Sequence, residues 1–244
     1  MLQVYEQSNC IYGSYKIAEI LKSDDQLETA CRNTVARTMR DLGIKSRVSR
    51  KFKPTTTVSD PSKKPAPNIL SQDFDASAPN QKWVADITYL PTVTGWVYLA
   101  VVIDLFSRKV VGWNMSDRLT TPLVTGALKN AIESRKPETK ELLHHSDRGC
   151  QYTSETFQQI LRTTSITCSM SRTGCCYDNA VVERFFWSLK HEWTKFEKYS
   201  NLDDARLSVF KYIESFYNSE RIHQSLNYQT PDEFERKYHA ALAA

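Results

Sequence analysis

The chain has 244 residues, 41% of them hydrophobic, and a formal net charge of +4. This length and composition suffice for one large domain, or a medium domain with a small appendage, and they exclude a disordered chain. The longest apolar run, WVYLAVVI at residues 96–103, is less than half of the roughly 20 residues that a membrane span needs. We therefore expect a soluble protein without a membrane partner.

The six cysteines indicate no disulfide framework. They lie at positions 10, 31, 150, 168, 175 and 176 and contain no CxxC pair. Reduced thiols are expected, because a chain of this size does not need disulfides to fold. A zinc site made by Cys150, Cys168 and Cys175 with His144 or His145 is an alternative, although its spacing matches no usual zinc pattern.

Two short helices are predicted near the N-terminus, in SYKIAEILK (residues 14–22) and TACRNTVARTMRDLG (residues 29–43). Both have apolar residues at helical intervals, and Gly43 ends the second. The pattern predicts a small helix-turn-helix-like module. A helical hairpin that only packs on the main domain is the alternative.

A basic strip follows these helices and indicates a polyanionic partner. Residues 32–53 carry eight Lys or Arg against one acid, a local charge of +7, and the rest of the chain sums to −3. Such a concentration favours nucleic acid, although a solvated basic surface would have the same composition. The candidate DNA contacts are Arg32, Arg37, Arg40, Lys45, Arg47, Arg50, Lys51 and Lys53.

The composition divides the chain into four parts. Residues 1–50 form the basic helical module, and residues 51–81 hold five prolines among Thr, Ser and Lys, which is typical of a linker. Residues 82–200 are predicted to form an α/β core, and residues 201–244 a helical extension. The TPDE stretch predicts a last helix with Thr230 as its N-cap.

The predicted core begins with three strands, KWVADITYLPT, GWVYLAVVID and RKVVGWNMS, which are close enough in sequence to form an antiparallel meander. Helices then alternate with the short strands ELLHH and ITCSMS, and strands joined by helical crossovers run parallel. The order β-β-β-α-β-α-β-α predicts a mixed five-stranded sheet flanked by helices, as in the ribonuclease H-like fold.

Three acids can converge on this layout. Asp86 lies in the first strand, Asp147 follows the fourth, and Glu183 lies on a long helix beside a predicted apolar stripe made of Val182, Phe185, Phe186, Leu189, Trp193 and Phe196. Converging carboxylates repel each other unless cations lie between them, and hard oxygen ligands suit Mg²⁺. The sequence therefore predicts a metal site for phosphoryl transfer, with Arg148 placed for a phosphate backbone.

The surrounding motifs resemble those of the second-frame transposases of IS3-type insertion sequences, in the D-D-35-E transposase and retroviral integrase superfamily. The matching stretches are APNQKWVADITYLPT, GWVYLAVVIDLFSRKVVGW, HHSDRGCQYTS, CSMSRTGCCYDNAVVERFFWSLKHEW and FYNSERIHQSLNYQTPDEFE. They cover most of residues 78–235, and YGSYKI with VARTMRDLGI extends the likeness into the N-terminal module.

The resemblance implies a transposase that cleaves DNA and transfers the freed 3′-hydroxyl, with Asp86, Asp147 and Glu183 as its catalytic triad. It also implies two Mg²⁺ or Mn²⁺ ions, a DNA contact at Lys190 and a supporting role for Asn179. The partners implied are the terminal inverted repeats and target DNA, an upstream-frame protein or fusion, and a second copy on DNA. The resemblance also implies that the protein is located in the bacterial cytoplasm, at the nucleoid.

Several alternatives stay open at this level. A nuclease that cuts without joining and a catalytically idle DNA-binding regulator would share the motifs. Cys150, Cys175 and Cys176 stand where the family more often has small or polar residues, and the integrase-type His-His-Cys-Cys zinc module has no counterpart. Other side chains stay open as well. His144 and His145 either flank the metal site or are structural, Trp187 is a candidate for packing against a DNA end, and Arg221 and His223 either contact phosphate or brace the last helix.

Overall fold

The computed structural model describes residues 1–22, 31–47, 65–173 and 175–243. Three helices open the chain: α1 Leu2–Gln7, α2 Ser14–Lys22 and α3 Arg32–Asp41. The predicted pair corresponds to α2 and α3, and α1 is additional. None of the helices in the described ranges is long and apolar enough to cross a membrane.

A mixed five-stranded sheet forms the centre of the molecule, in the order β3-β2-β1-β4-β5. The β1–β2 and β2–β3 pairs are antiparallel, and the β1–β4 and β4–β5 pairs are parallel. The strands are β1 Lys82–Thr92, β2 Gly95–Asp104, β3 Val110–Ser116, β4 Leu143–Ser146 and β5 Thr167–Met170. The predicted sheet and its antiparallel meander are confirmed.

Helices cover both faces of the sheet and create two apolar cores. Helices α4 Thr121–Arg135 and α5 Glu155–Thr163 pack on the face that carries Trp83 and Ala85. The opposite face, which carries Val84 and Leu90, packs against helix α6 Ala180–Glu192 and against the chain that follows it. The layers therefore place α6 beside β1, the strand that contains Asp86.

The apolar stripe of α6 is shorter than predicted. Val182, Phe185, Phe186 and Leu189 are buried, but the helix ends at Glu192 and a 3₁₀ turn, Thr194–Phe196, follows. Phe196 therefore lies beyond the helix and is 38% exposed. The periodicity continued past the helix end because the sequence offers no Gly or Pro that would mark it.

Residues 65–81, the described part of the predicted linker, lie against the sheet. The amide of Met170 donates to the carbonyl of Pro67 at 3.2 Å, and the amide of Leu70 donates to Oγ of Ser169 at 3.1 Å. Leu70 is also buried in the α6-side core. This part of the chain extends the core at the edge strand β5 despite its linker-like composition, whereas residues 51–64 lie outside the described residues.

The chain after α6 folds back over that helix. Helix α7 Leu202–Phe210 continues into a π-helical segment, Lys211–Tyr217, and helix α8 Pro231–Leu242 comes last. Oγ1 of Thr230 accepts the amide of Glu233 at 3.1 Å, so the predicted N-cap is confirmed. These segments enclose the C-terminal end of α6.

Arg221 braces α6 from inside. Its Nε donates to Oε2 of Glu192 at 2.6 Å and its Nη2 to Oε1 at 2.5 Å, and Nη2 also reaches Oγ of Ser188 at 3.2 Å. The hydroxyl of Tyr212 donates to the same carboxylate at 3.1 Å. Because Arg221 is only 6% exposed, it is a structural residue rather than a phosphate contact, but the helix that it braces is α6 and not the last helix, as the bracing alternative had it.

The N-terminal helices dock on the same region. The hydroxyl of Tyr12 donates to the carbonyl of Glu220 and accepts the amide of Ile222, each at 3.2 Å. Ile17 and Val35 are buried in the α6-side core. Burial and the charge of Arg221 lower the pKa of Lys16 to about 7. The module therefore packs on the main domain, as the hairpin alternative required, and its helices share that core.

Breaking the buried pair tests this bracing. We expect Arg221→Met to lower the free energy of unfolding by about 3–5 kcal/mol, because the carboxylate of Glu192 is left buried without its cation. The matched control is Arg206→Met, whose partner Asp203 is exposed and whose loss should cost about 0–1 kcal/mol. Urea denaturation measures both, and equal effects would contradict the bracing role.

Candidate active site

The register of two parallel strands brings Asp86 and Asp147 together. Val84 on β1 pairs with His145 on β4, and Asp86 and Asp147 each follow this pair by two residues in the same chain direction. Each carboxylate also accepts a local backbone amide, Asp86 from Ile87 at 2.8 Å and Asp147 from Gly149 at 2.9 Å. Both side chains are therefore fixed at the edge where β4 ends.

Electrostatics show that the third acid shares this region. Burial raises the pKa of Asp86 well above its ordinary value, and the negative charges of Asp147 and, more weakly, Glu183 raise it further. The amide of Ile87 and the charge of Lys190 act in the opposite direction. The charges of both Asp147 and Glu183 thus act on the carboxylate of Asp86.

Glu183 lies in the first turn of α6, and the residue as a whole is exposed. Partial removal of water from its carboxylate nevertheless raises its pKa. The start of the helix is tied to β1, because Nδ2 of Asn179 donates to the carbonyl of Ala85 at 3.1 Å. Asn179 is only 5% exposed, so it lies beneath the acids, where it orients the helix, rather than on a surface open to DNA.

Asp178 is a buried hub beside this helix start. Its carboxylate accepts Nδ2 of Asn68 at 2.9 Å, Nε2 of Gln72 at 2.8 Å and the amide of Arg172 at 2.8 Å. The Arg172 guanidinium and Cys175 Sγ donate to it too. These donors hold its pKa far below the ordinary value, Arg172 most of all. Sequence analysis missed this residue, although it directly precedes Asn179.

Two predicted basic contacts border the acids. Lys190 is half-buried, with its ammonium 4.8 Å from the centre of the Tyr89 ring; burial lowers its pKa, and the charge of Asp86 raises it. Arg148 donates from Nε to the carbonyl of Ser171 at 2.6 Å and from Nη1 to Oγ1 of Thr173 at 3.1 Å. The loop after β5 therefore holds Arg148 next to Asp147.

The two histidines belong to the interior. His145 lies between Ser169 and Ser171, with its ring nitrogens 2.8 and 3.0 Å from the two hydroxyls. His144 packs against the rings of Tyr152 and Phe157 on the opposite face. Burial lowers the pKa of His144 to about 3 and that of His145 to about 4. Both are neutral structural residues at neutral pH.

The described ranges contain no cluster of three His, Cys, Asp or Glu side chains already gathered around a potential metal position. The zinc alternative therefore has no support there: Cys150 is exposed, and Cys175 contacts Asp178. Asp86, Asp147 and Glu183 likewise do not form such a cluster in this structure.

The basic strip separates into two groups of residues. The Arg32 guanidinium lies over the ring of Tyr15, and that of Arg47 lies over Phe196 beyond α6, at 3.6 and 4.2 Å from the ring centres. Arg37, Arg40 and Lys45 are exposed. The predicted contacts at Arg50, Lys51 and Lys53 lie outside the described residues.

Trp187 is half-buried on α6. Its ring stacks on His191 at 4.4 Å between centroids, and the Arg184 guanidinium lies 4.4 Å from its centre. The helix itself thus supplies partners for this ring, and contact with a DNA end stays a prediction.

Family models match almost the whole chain. Two models described as "Integrase core domain" match residues 76–176 and 164–231, and one described as "HTH-like domain" matches residues 1–52. A curated relative, the transposase InsF for insertion sequence IS3A of Escherichia coli strain K12, is 42% identical over 243 residues. That alignment covers 97% of this chain and 81% of the relative.

Solved structures share the fold. A chain of the simian T-cell lymphotropic virus intasome, in complex with PP2A regulatory subunit B56 gamma, matches with a TM-score of 0.55 and 18% identity, over 72% of this chain and 60% of that chain. The HTLV-2 integrase catalytic core domain in complex with magnesium, in its dimeric form, matches with a TM-score of 0.50 and 20% identity, over 66% and 99%. The predicted ribonuclease H-like fold is confirmed.

The Asp178 hub gives a testable prediction about the helix start. Asp178→Asn replaces an acceptor by a donor that faces other donors, and we expect it to lower the free energy of unfolding by about 1–3 kcal/mol. Hydrogen exchange should also become faster at the amides of residues 178–183. The control is Glu155→Gln, at an acid whose side chain is 82% exposed; if exchange changes equally in both variants, Asp178 does not hold the helix start.

Proposed function

The chain belongs to the IS3 family of insertion-sequence transposases, and we propose that Asp86, Asp147 and Glu183 are the carboxylates of its reaction centre. As a DDE-type polynucleotidyl transferase, it functions in DNA transposition and integration. The observation that carries the proposal is the β1–β4 register, in which Asp86 and Asp147 each follow the Val84–His145 pair by two residues; the charge of Glu183, in the first turn of α6, also acts on Asp86.

These residues fit a divalent metal, and we propose Mg²⁺ or Mn²⁺, as two ions. Carboxylate oxygens are the hard ligands that such ions prefer. Burial and the neighbouring negative charges raise the pKa of Asp86, an unfavourable environment that a bound cation would relieve. When bound, such ions activate an attacking oxygen and stabilise the leaving oxygen in phosphoryl transfer.

The protein residues then contact and position the DNA but form no covalent bond with it. In the first step, the oxygen of water bonds to the phosphorus of a phosphodiester at the element end and the bond from that phosphorus to the 3′-oxygen breaks; the water loses a proton and the departing oxygen gains one, which leaves a 5′-phosphate and a 3′-hydroxyl. In the second, the oxygen of that 3′-hydroxyl loses its proton and bonds to a phosphorus of the target, and the target's own 3′-oxygen leaves and is protonated to a hydroxyl. Lys190 and Arg148 attract the phosphates, and Asn179 and Asp178 keep Glu183 aligned.

We propose that duplex DNA, both terminal repeats and target, binds the N-terminal module, which brings it to the reaction centre. Arg37, Arg40 and Lys45 are exposed there and supply phosphate contacts, whereas Arg32 and Arg47 also contact aromatic rings of the protein. We also propose that a second copy of the chain binds the same DNA, that the chain works with an upstream-frame partner, and that it acts at the bacterial nucleoid. The domain boundaries at residues 50, 81 and 200 belong to it as well.

Removing each carboxylate tests the reaction centre. We expect Asp86→Asn, Asp147→Asn and Glu183→Gln each to reduce cleavage and joining of terminal-repeat DNA by more than about a hundredfold, because losing a direct ligand exceeds the 10–100-fold effect of losing an outer-shell partner. DNA affinity, measured in parallel without metal, should stay close to that of the unsubstituted protein.

Two exposed acids serve as controls, in the variants Asp203→Asn and Glu155→Gln, which should keep full activity. Substantial metal-dependent turnover in any one of the three test variants would remove that residue from the centre. Cleavage without any joined product in the unsubstituted protein would instead favour a nuclease that does not join strands.

The basic strip is tested by salt dependence. We expect Arg37→Ala/Arg40→Ala/Lys45→Ala to weaken DNA binding and to reduce the slope of log affinity against log salt by up to about 0.9 for each phosphate that is no longer neutralised. The control, Lys129→Ala/Lys136→Ala/Lys140→Ala, removes the same charge from exposed positions at and after α4. Equal slopes for the two triple variants would show that the strip is an ordinary solvated surface.

A further inference from the structure

The β1–β2 hairpin carries a row of aromatic rings on one face. Tyr89 on β1 pairs with Tyr98 on β2, and Trp96 lies diagonally from Tyr89 on the same face. The rings of Tyr89 and Trp96 contact each other edge to face, with 5.1 Å between their centroids. We refer to Tyr89 and Trp96 as the hairpin platform.

The hairpin platform lies beyond the part of the sheet that α4 and α5 cover. Tyr98 packs against the core formed with α4 and α5, whereas Trp96, two residues nearer the turn, is 54% exposed. Aromatic rings on a sheet face are an established surface for stacking unpaired nucleobases. The exposed indole is therefore available to a flat ligand.

The hairpin that carries the platform is fixed in place. Thr92 bridges to Tyr199, and the amide of Val93 donates to the carbonyl of Tyr199 at 2.9 Å. Within the turn, Oγ1 of Thr92 donates to the carbonyl of Gly95 at 2.7 Å. Because the hairpin is already rigid, ligand binding costs less conformational entropy than it would if binding had to order a mobile hairpin.

The platform adjoins the reaction centre at the edge of β1. Tyr89 follows Asp86 by three residues, so the two side chains leave opposite faces of the strand, but Lys190 is near both: its ammonium lies 4.8 Å from the Tyr89 ring centre, and the charge of Asp86 raises its pKa. Strand β4 ends at Ser146, so β1 extends past it along this side. A strand held at Asp86 can pass Lys190 and reach Trp96.

We propose that the hairpin platform binds an unpaired nucleotide of the DNA strand next to the cleavage site, with its base stacked on Trp96, whose ring is supported by the edge contact with Tyr89, and its phosphate near Lys190. This rests on the proposed function. An unpaired base is required because the bases of an intact duplex are already stacked on each other. The positive charge beside the rings matches a phosphate-bearing ligand, and stacking accepts any base.

The test compares a 25-bp duplex that carries a five-thymidine single-stranded tail with the same duplex lacking the tail. Binding is measured by fluorescence anisotropy without metal, in a Glu183→Gln background that prevents turnover. We expect Trp96→Ala to lower affinity for the tailed duplex about tenfold, within the range for losing one aromatic stack, and to leave the blunt duplex unaffected. Trp96→Phe should restore most of the difference.

The matched control is Phe210→Ala, at an aromatic residue on α7 that is 48% exposed; it should change neither affinity. The melting temperature of each variant reports on folding. The proposal is overturned if Trp96→Ala affects neither duplex, if it affects both equally, or if Phe210→Ala has the same effect.

A change in oligomeric state without selective loss of the tailed duplex would likewise overturn the proposal and identify a protein contact instead. Since the assay needs no catalysis, failure of the acid assignment would appear only in the cleavage experiments. The two proposals can therefore fail separately.

Discussion

The parallel pairing of β1 with β4 is the constraint on which the proposed reaction centre depends. Asp86 and Asp147 each follow the Val84–His145 pair by two residues, and because side chains alternate with a period of two, a slip of one residue would send one carboxylate to the opposite face. The register is held from both sides, since Val84 is buried in one core and Trp83 in the other. The chemistry of the site therefore depends on apolar packing that contains no catalytic group.

Helix α6 is the second requirement, and it is held at both ends. Asn179 ties its start to β1, and the buried Glu192–Arg221 pair fixes its C-terminal end. The chain beside Arg221 also receives Tyr12 from the N-terminal module. Helix α6, which carries Glu183, thus packs in the same unit as the module that we propose to bind DNA. Packing contacts therefore connect the proposed DNA-binding module to the position of α6.

Local patterns predict those parts of the fold that depend on neighbouring residues. Strand alternation, the helical spacing of apolar residues and the Thr230 cap could all be recognised without knowing tertiary contacts, and the matching motifs suggested the acids that we propose for the reaction centre. Residues 65–81 could not be assigned in this way, because Asn68 meets Asp178 across 110 positions while its local composition is that of a linker. Arg221 stayed ambiguous for the same reason, since its burial depends on Glu192.

The proposed reaction centre requires that Asp86, Asp147 and Glu183 jointly hold the divalent ions of the transposase. An anomalous difference map from crystals of the full chain soaked with Mn²⁺ would locate such ions. We expect density between Asp86 and Asp147, within about 2–2.5 Å of carboxylate oxygens as hard cations require, and loss of that density in Asp147→Asn. Density elsewhere together with an empty position between these two carboxylates would show that they are not the metal ligands.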